Sequence, residues 1–263
     1  MKKIVLLAWA LLLCPIVLLA QNPVLLHSHN DYERTVPFWE AYNQHFDSVE
    51  ADVYCIDGTL FVSHDKKDIK RERTFEALYL EPVIKVFGEN GGRPWAGSGQ
   101  TLQFLIDIKE TTEPTLSTLI KLLETHRDVF DPTVNPYAVR VVMTGNVPVP
   151  SDFAKYPDYI FFDGNLDMEY TDAQLQRIAL FSAPFYKYTL WRGRGKGSRK
   201  GWEKVSEAVE HAHALGKPIR FWGAPESRKV YRVFYSRGID YMNSDYPAEC
   251  AQFYKSNKDL FLK

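Results

Sequence analysis

The feature that most constrains this chain is a repeated alternation of apolar strand-like runs with amphipathic stretches. Eight runs read as strands: Val24–Asn30, Ser48–Ile56, Leu102–Lys109, Tyr137–Thr144, Tyr159–Asp163, Phe181–Tyr188, Pro218–Trp222 and Asp240–Asn243. Between them lie helix candidates at Pro37–Phe46, Thr115–His126, Asp172–Leu180, Trp202–Leu215 and Ser227–Ser236. Several begin at a capping residue or Pro and several stop at Gly, as helix ends require. A crossover helix must bury its apolar stripe on the sheet, so strict alternation implies parallel strands. The expected fold is α/β, a single TIM-type (β/α)8 barrel; a doubly wound open sheet is the alternative, because alternation alone does not report closure. One departure is expected after strand two. In "VYCIDGTLFVSHD" the Asp57-Gly58 pair separates two alternating runs, a hairpin signal that extends strand two and folds it back to deliver His64 and Asp65 above the barrel mouth.

The 263 residues divide into two parts. Lys2 and Lys3 precede an uncharged run from Ile4 to Ala20, the pattern of a signal peptide over residues 1–20, which leaves residues 21–263 as one barrel domain. The expected destination is therefore export, to the periplasm or outside the cell. A retained anchor is the alternative, since the apolar run approaches spanning length apart from Pro15. Leu13 is too bulky for Cys14 to be a lipidation site. Without Lys2 and Lys3, 30 basic residues face 33 acidic ones, a balance that excludes a nucleic-acid footprint. Only Cys55 and Cys250 follow the leader; export permits a disulfide between them, and two buried free thiols are the simpler reading.

The chemistry concentrates at the ends of the first three strands. Side chains at i and i+2 of a strand share a face, so Glu50 and Asp52 in "SVEADV" point together from an apolar strand. Two such carboxylates repel and are costly to desolvate unless a cation lies between them. Asp107 and Lys109 in "LIDIKE" repeat the device with one acid and one base. Oxygen-rich ligands suit a hard cation, Ca²⁺ or Mg²⁺. On strand one, "HSHND" places His27 and His29 on one face. That stretch has two readings: a metal-ligating His-x-His pair, or a catalytic His followed by a metal-binding Asn. His27 is also suited simply to fill the barrel interior. Later in the chain, Arg220 and Trp222 share a face at the end of strand seven, where an aromatic can line a pocket; Asp163 ends strand five. "LWRGRGKGSRKGW" (Leu190–Trp202) alternates bases with glycines and suits a phosphorylated head group, a loose contact with an anionic membrane surface, or a solvated loop. The segment between His64 and Leu102 reads as a lid or rim.

"SHNDYE", "SVEADV", "DGTLFVSHD" and "LIDIK", in that order, resemble the phosphodiesterase superfamily of phospholipase C-like barrels, which includes phosphatidylinositol-specific phospholipases C and glycerophosphodiester phosphodiesterases. "GIDYMNSDYP" resembles the closing strand of the latter. The resemblance implies a metal-dependent phosphoric diester hydrolase acting on a glycerophosphodiester or phospholipid-type head group, with a cyclic phosphate as one route. His29 and His64 would be the catalytic acid–base pair; Glu50, Asp52 and Asp107, with Asn30, would hold one divalent cation; Lys109 would lie beside the phosphate. From their place at the end of strand seven, and not from the resemblance, Arg220 and Trp222 are expected to contact substrate. Two departures stand out: His29-Asn30-Asp31 replaces the His-Arg-Gly usual in glycerophosphodiesterases, and Asp107 replaces a Glu. The competing readings are a metallohydrolase of the amidohydrolase or polymerase-and-histidinol-phosphatase type, which would need further histidines on later strands, and a barrel that binds phosphodiesters or lipid without catalysis. No obligate protein partner is indicated.

Overall fold

The computed structural model describes residues 24–257; the leader expected over residues 1–20 lies outside them. Strands β1 (Leu25–Ser28), β2 (Ser48–Ile56), β4 (Gln103–Ile108), β5 (Arg140–Gly145), β6 (Ile160–Gly164), β7 (Ile178–Pro184), β8 (Ile219–Trp222) and β9 (Tyr241–Ser244) pair in parallel, in the order β8-β7-β6-β5-β4-β2-β1-β9. The sheet rolls into a nearly closed eight-stranded barrel with helices outside it. The two ends of the roll, β8 and β9, are joined through side chains. Asp240 Oδ2, just before β9, accepts from the Ile219 amide at 2.8 Å and lies 2.9 Å from His213 Nε2.

The ninth strand, β3 (Thr59–Val62), is the expected return arm of the hairpin and pairs antiparallel with β2 from Val53↔Val62 to Ile56↔Thr59. Asp57 and Gly58 both have positive φ, 50° and 76°, the tight turn that an Asp-Gly pair favours.

Outside the barrel run α1 (Trp39–Tyr42), α2 (Glu81–Glu89), α3 (Thr112–Glu124), α4 (Arg127–Phe130), α5 (Asp172–Gln176), α6 (Arg199–Ala214), α7 (Arg228–Tyr235) and α8 (Pro247–Ser256). Two expectations change here. The helix expected to reach Leu180 stops at Gln176, because Ile178, Ala179 and Leu180 already belong to β7; an unbroken apolar run fits either period, and pairing with β6 and β8 decides it. The segment between His64 and Leu102 is not a lid. It enters α2 through a π-helical turn at Glu76–Leu80 and buries Val83, Val86 and Phe87, so it is the crossover that the parallel pair β2 and β4 requires. Trp95, from the same segment, stacks on Tyr42 at 5.3 Å.

Alternation along the strands separates two apolar regions. Phe104, Ile106 and Ile108 of β4 join the large core between sheet and helices, whereas Leu105 joins a small cluster with Val142, Leu180 and Tyr241 inside the barrel. That plug fills the barrel below the polar groups, so the chemistry is confined to the end where the strands terminate. Cys55 and Cys250 are free thiols, and burial pushes the Cys250 thiol up to about 12.

Candidate active site

Glu50 and Asp52 occupy consecutive inward positions of β2, and Asp107 is the register partner of Asp52 on β4. Their carboxylates come within 4.8 Å of one another. Such crowding is costly without counter-charge, and the chain supplies two bases. Lys109 Nζ lies 2.7 Å from Asp52 Oδ2 and 3.0 Å from Asp107 Oδ2. Burial works against its ammonium, but Asp52 and Asp107 outweigh that and raise its pKa. The second base is Arg220, which reaches across the barrel from β8 to Glu50 Oε2. Burial opposes the Glu50 charge, yet Arg220 and then His27 hold its carboxyl far below the ordinary carboxylate range. Asp52 moves the other way, raised by burial and by its neighbours Glu50 and Asp107.

Beneath this layer, His27 is completely buried, with Nδ1 2.9 Å from Ser48 Oγ and Nε2 2.8 Å from Glu50 Oε2. Burial and Arg220 bring its pKa down to about 4, so the ring is neutral at pH 7. His27 therefore spaces and orients Glu50, and it does not form a ligand pair with His29. Arg220 was expected to contact substrate; its guanidinium is instead buried, bonded to Glu50 and, through Nε at 3.1 Å, to Ser182 Oγ.

His29 and His64 flank the acids. His29 Nδ1 is 2.8 Å from Asp245 Oδ1, in the turn after β9. Burial alone would depress its pKa, but the Asp245 hydrogen bond and the nearby Glu50 charge raise it above the ordinary histidine value. His64, carried back over the mouth by the hairpin, is 59% exposed and lies 3.1 Å from Asp52 Oδ2 through Nδ1. Asn30 sits in the left-handed region at φ 47°, which Asn tolerates better than most residues, and this turns its amide toward the site. The neighbouring Asp31 is structural. Its carboxylate accepts from Ser28 Oγ at 2.7 Å, the Phe38 amide at 2.6 Å and the Tyr79 hydroxyl at 3.1 Å. Asn30-Asp31 thus sets the shape of the first loop where the related pattern has Arg-Gly.

Three participants had no local signal in the sequence. The Tyr32 hydroxyl lies within hydrogen-bond reach of Asn30 Oδ1 (2.9 Å), Asp52 Oδ2 (2.7 Å) and His64 Nδ1 (3.1 Å), tying a loop, a strand and the hairpin together. Asp245 holds His29. Glu226, in the β8–α7 loop, accepts from the Asp245 amide at 3.1 Å and binds the Ser244 and Tyr231 hydroxyls, which fixes the turn that carries Asp245. Gly145 is needed for packing: at φ 75°, a Cβ there would lie 1.9 Å from Asp107 Oδ1.

Beside the acids, at the ends of β5 to β8, lies a cleft of 440 Å³ lined by Thr144, Asp163, Tyr170, Tyr188 and Trp222 among others. Trp222 is where the sequence placed it, at the edge of a pocket. Asp163 accepts from Thr144 Oγ1 at 3.0 Å and from the Ser182 amide at 2.8 Å, and burial pushes its carboxyl up to about 6 against the pull of Arg220.

Residues 18–163 match the family described as the AIM6-like phosphodiesterase domain. The chain belongs to that family. Its curated relatives include the altered inheritance of mitochondria protein 6 homolog of Arthroderma benhamiae, 26% identical over 261 residues that cover 85% of this chain and 81% of that protein. Altered inheritance of mitochondria protein 6 of Kluyveromyces lactis is 25% identical, over 87% of this chain and 71% of its own length. Among solved structures, a glycerophosphodiester phosphodiesterase from Parabacteroides distasonis superposes with a TM-score of 0.56 at 14% identity, covering 90% of this chain and 99% of that one. One from Agrobacterium tumefaciens gives 0.53 at 16%, covering 88% and 99%. At those identities the likeness establishes the barrel fold.

The AIM6-like relatives correct one expectation. Export to the periplasm or beyond the cell does not hold, because these fungal relatives are named for the inheritance of mitochondria and not for secretion. Among the described residues no helix is long and apolar enough to cross a membrane.

Proposed function

We propose that this AIM6-like phosphodiesterase domain is a metal-dependent phosphoric diester hydrolase that works by histidine acid–base catalysis on a glycerophosphodiester or phospholipid-type head group. The observation that carries the reading is the gathering of Glu50, Asp52 and Asp107 within 4.8 Å of one another, between two histidines at the barrel mouth. The donor set fits a divalent cation. Asp52 Oδ1 is buried without a hydrogen-bond partner, an acceptor left for an ion, and Lys109 already places one positive charge between Asp52 and Asp107. Glu50, Asp52, Asp107 and Asn30 would hold Ca²⁺ or Mg²⁺, which supplies neutralisation of the charge that develops on the non-bridging phosphate oxygens.

The chain's own groups account for the proton transfers. His29, whose protonated form Asp245 favours, is set to donate to the leaving alkoxide. His64, open to solvent and oriented by Asp52, takes the proton of the attacking group, either water or a neighbouring hydroxyl of the substrate. The second route gives a cyclic phosphate and needs no protein nucleophile. Lys109 presents its ammonium to a phosphate oxygen from the floor of the site, and Trp222 flanks the cleft that takes the adjoining part of the substrate.

Hydrolysis of an aryl phosphodiester by the chelated protein is expected to be negligible and to return with added Ca²⁺ or Mg²⁺. Turnover that persists at full rate after chelation would remove the metal from this reading. Asp245→Asn tests the assignment of the acid. Because Asp245 raises the pKa of His29, its loss lowers that pKa, and the alkaline limb of kcat/KM moves to lower pH. An unmoved limb would assign the acid role to another group.

A further inference from the structure

The exposed apolar side chains are segregated. Of the seven large hydrophobic residues exposed among the described residues, six lie on loops that leave the C-terminal ends of barrel strands: Val36, Val149, Met168, Tyr186, Leu190 and Tyr246. The seventh, Val134, lies on the opposite face, between α4 and β5. Scattered apolar residues are ordinary on any surface, but here six of the seven stand around the mouth that holds the candidate acids. Leu190 is the most exposed of them, at 78%, and it opens the stretch Leu190–Trp202, a loop that runs into the first turn of α6. That stretch carries Arg192, Arg194, Lys196, Arg199 and Lys200, all exposed, and no acid. Only Arg199 has an acidic partner among the described residues, Glu203.

The loop is built to present these bases. Trp191 and Trp202 are buried with ring centroids 5.0 Å apart, and the Trp202 indole donates to the Lys196 carbonyl at 2.7 Å. Gly197 adopts φ 73°, and a Cβ there would lie 2.6 Å from the Trp202 indole nitrogen. A pinned turn with outward bases therefore stands beside a ring of single apolar side chains, all on the face onto which the site opens.

We infer that this face docks on an anionic bilayer surface. Single apolar side chains on five separate loops suit a fluid interface, which closes around each of them, better than a protein partner, which would need one contiguous complementary patch. The acid-free basic stretch supplies attraction to anionic head groups. That the diester is then drawn from the docked membrane rests on the hydrolase reading above; the docking itself does not.

The test is flotation of the full chain with vesicles of phosphatidylcholine alone or with about 30% phosphatidylserine. Binding to the anionic vesicles is expected to exceed binding to the neutral ones by about tenfold or more at low salt, and to weaken as salt screens the bases. Arg192→Gln/Arg194→Gln/Lys196→Gln is expected to abolish that preference. Val36→Ser/Leu190→Ser should weaken binding to both vesicle types, with Val134→Ser unchanged. All three variants should hydrolyse a water-soluble aryl diester as the wild type does, so a failure of docking reads separately from a failure of the hydrolase assignment. Absence of binding to either vesicle, as a protein partner for this face would give, overturns the inference; so does an equal loss with Val134→Ser.

Discussion

Replacing His29 with alanine is expected to lower phosphodiester turnover by about 10²–10⁴, the range that a positioned general acid or base supplies. His64→Ala should do the same, and the double variant should fall little further, because groups that act in one proton relay are not additive. Stability should move little, on the order of 1 kcal/mol or less, for neither ring belongs to the packed core. His29 meets only Asp245 and, at 3.3 Å, the Asn30 side-chain amide, and His64 stands mostly in solvent. The measurement is steady-state turnover with an aryl diester beside a denaturant titration of each variant. Wild-type turnover in a folded His29→Ala protein would refute the acid–base assignment.

Arg220→Met is expected to act on the fold more than on the chemistry. It strands Glu50 as a buried, uncompensated charge, a change that typically costs about 3–5 kcal/mol. Pairing it with Glu50→Gln should recover much of that loss, since the stranded charge goes with it. The pH dependence carries the same sign. The Glu50 pKa is depressed in the folded state, so its stabilising effect is present above the ordinary carboxylate range and is lost as pH falls. His27, brought down to about 4, refuses a proton that the unfolded chain accepts below about 6.5, so it too costs stability on acidification. Without Arg220 both pKa values rise and this acid sensitivity weakens. Denaturant titration at pH 7 measures the loss of stability, and at pH 5 the His27 part of the acid sensitivity; an Arg220→Met protein as stable as the wild type at pH 7 would contradict the account.

The barrel was legible in the sequence because its signals are local. The alternation of strand and helix, the Asp57-Gly58 turn and the paired acids of "SVEADV" all fall within a few residues, where period and turn chemistry operate. Boundaries failed where local signals tie, as at Ile178–Leu180. The helix Glu81–Glu89, with Pro82 in its first turn and Gly91-Gly92 after its end, carries ordinary end signals and was read as rim only because it stands outside the strand-by-strand alternation. The site was legible in its acids and histidines and not in what holds them. Arg220 meets Glu50 across 170 residues of chain, and Asp245 meets His29 across 216. No periodicity reports such a pairing; only the closing of the barrel creates it. Arg220 even read as a pocket residue, since its inward position is visible in the strand pattern but its partner is not.

The two bases among the acids have a consequence for what the site prefers to hold. Three carboxylates set against Arg220 and Lys109 leave one net negative charge. A divalent cation would reverse it to one positive charge, which a phosphodiester monoanion would cancel. Under the proposed hydrolase reading, the site would then be electroneutral with the substrate and overcharged by one with a monoester dianion product. A floor that carries its own guanidinium would thus favour the diester over that product.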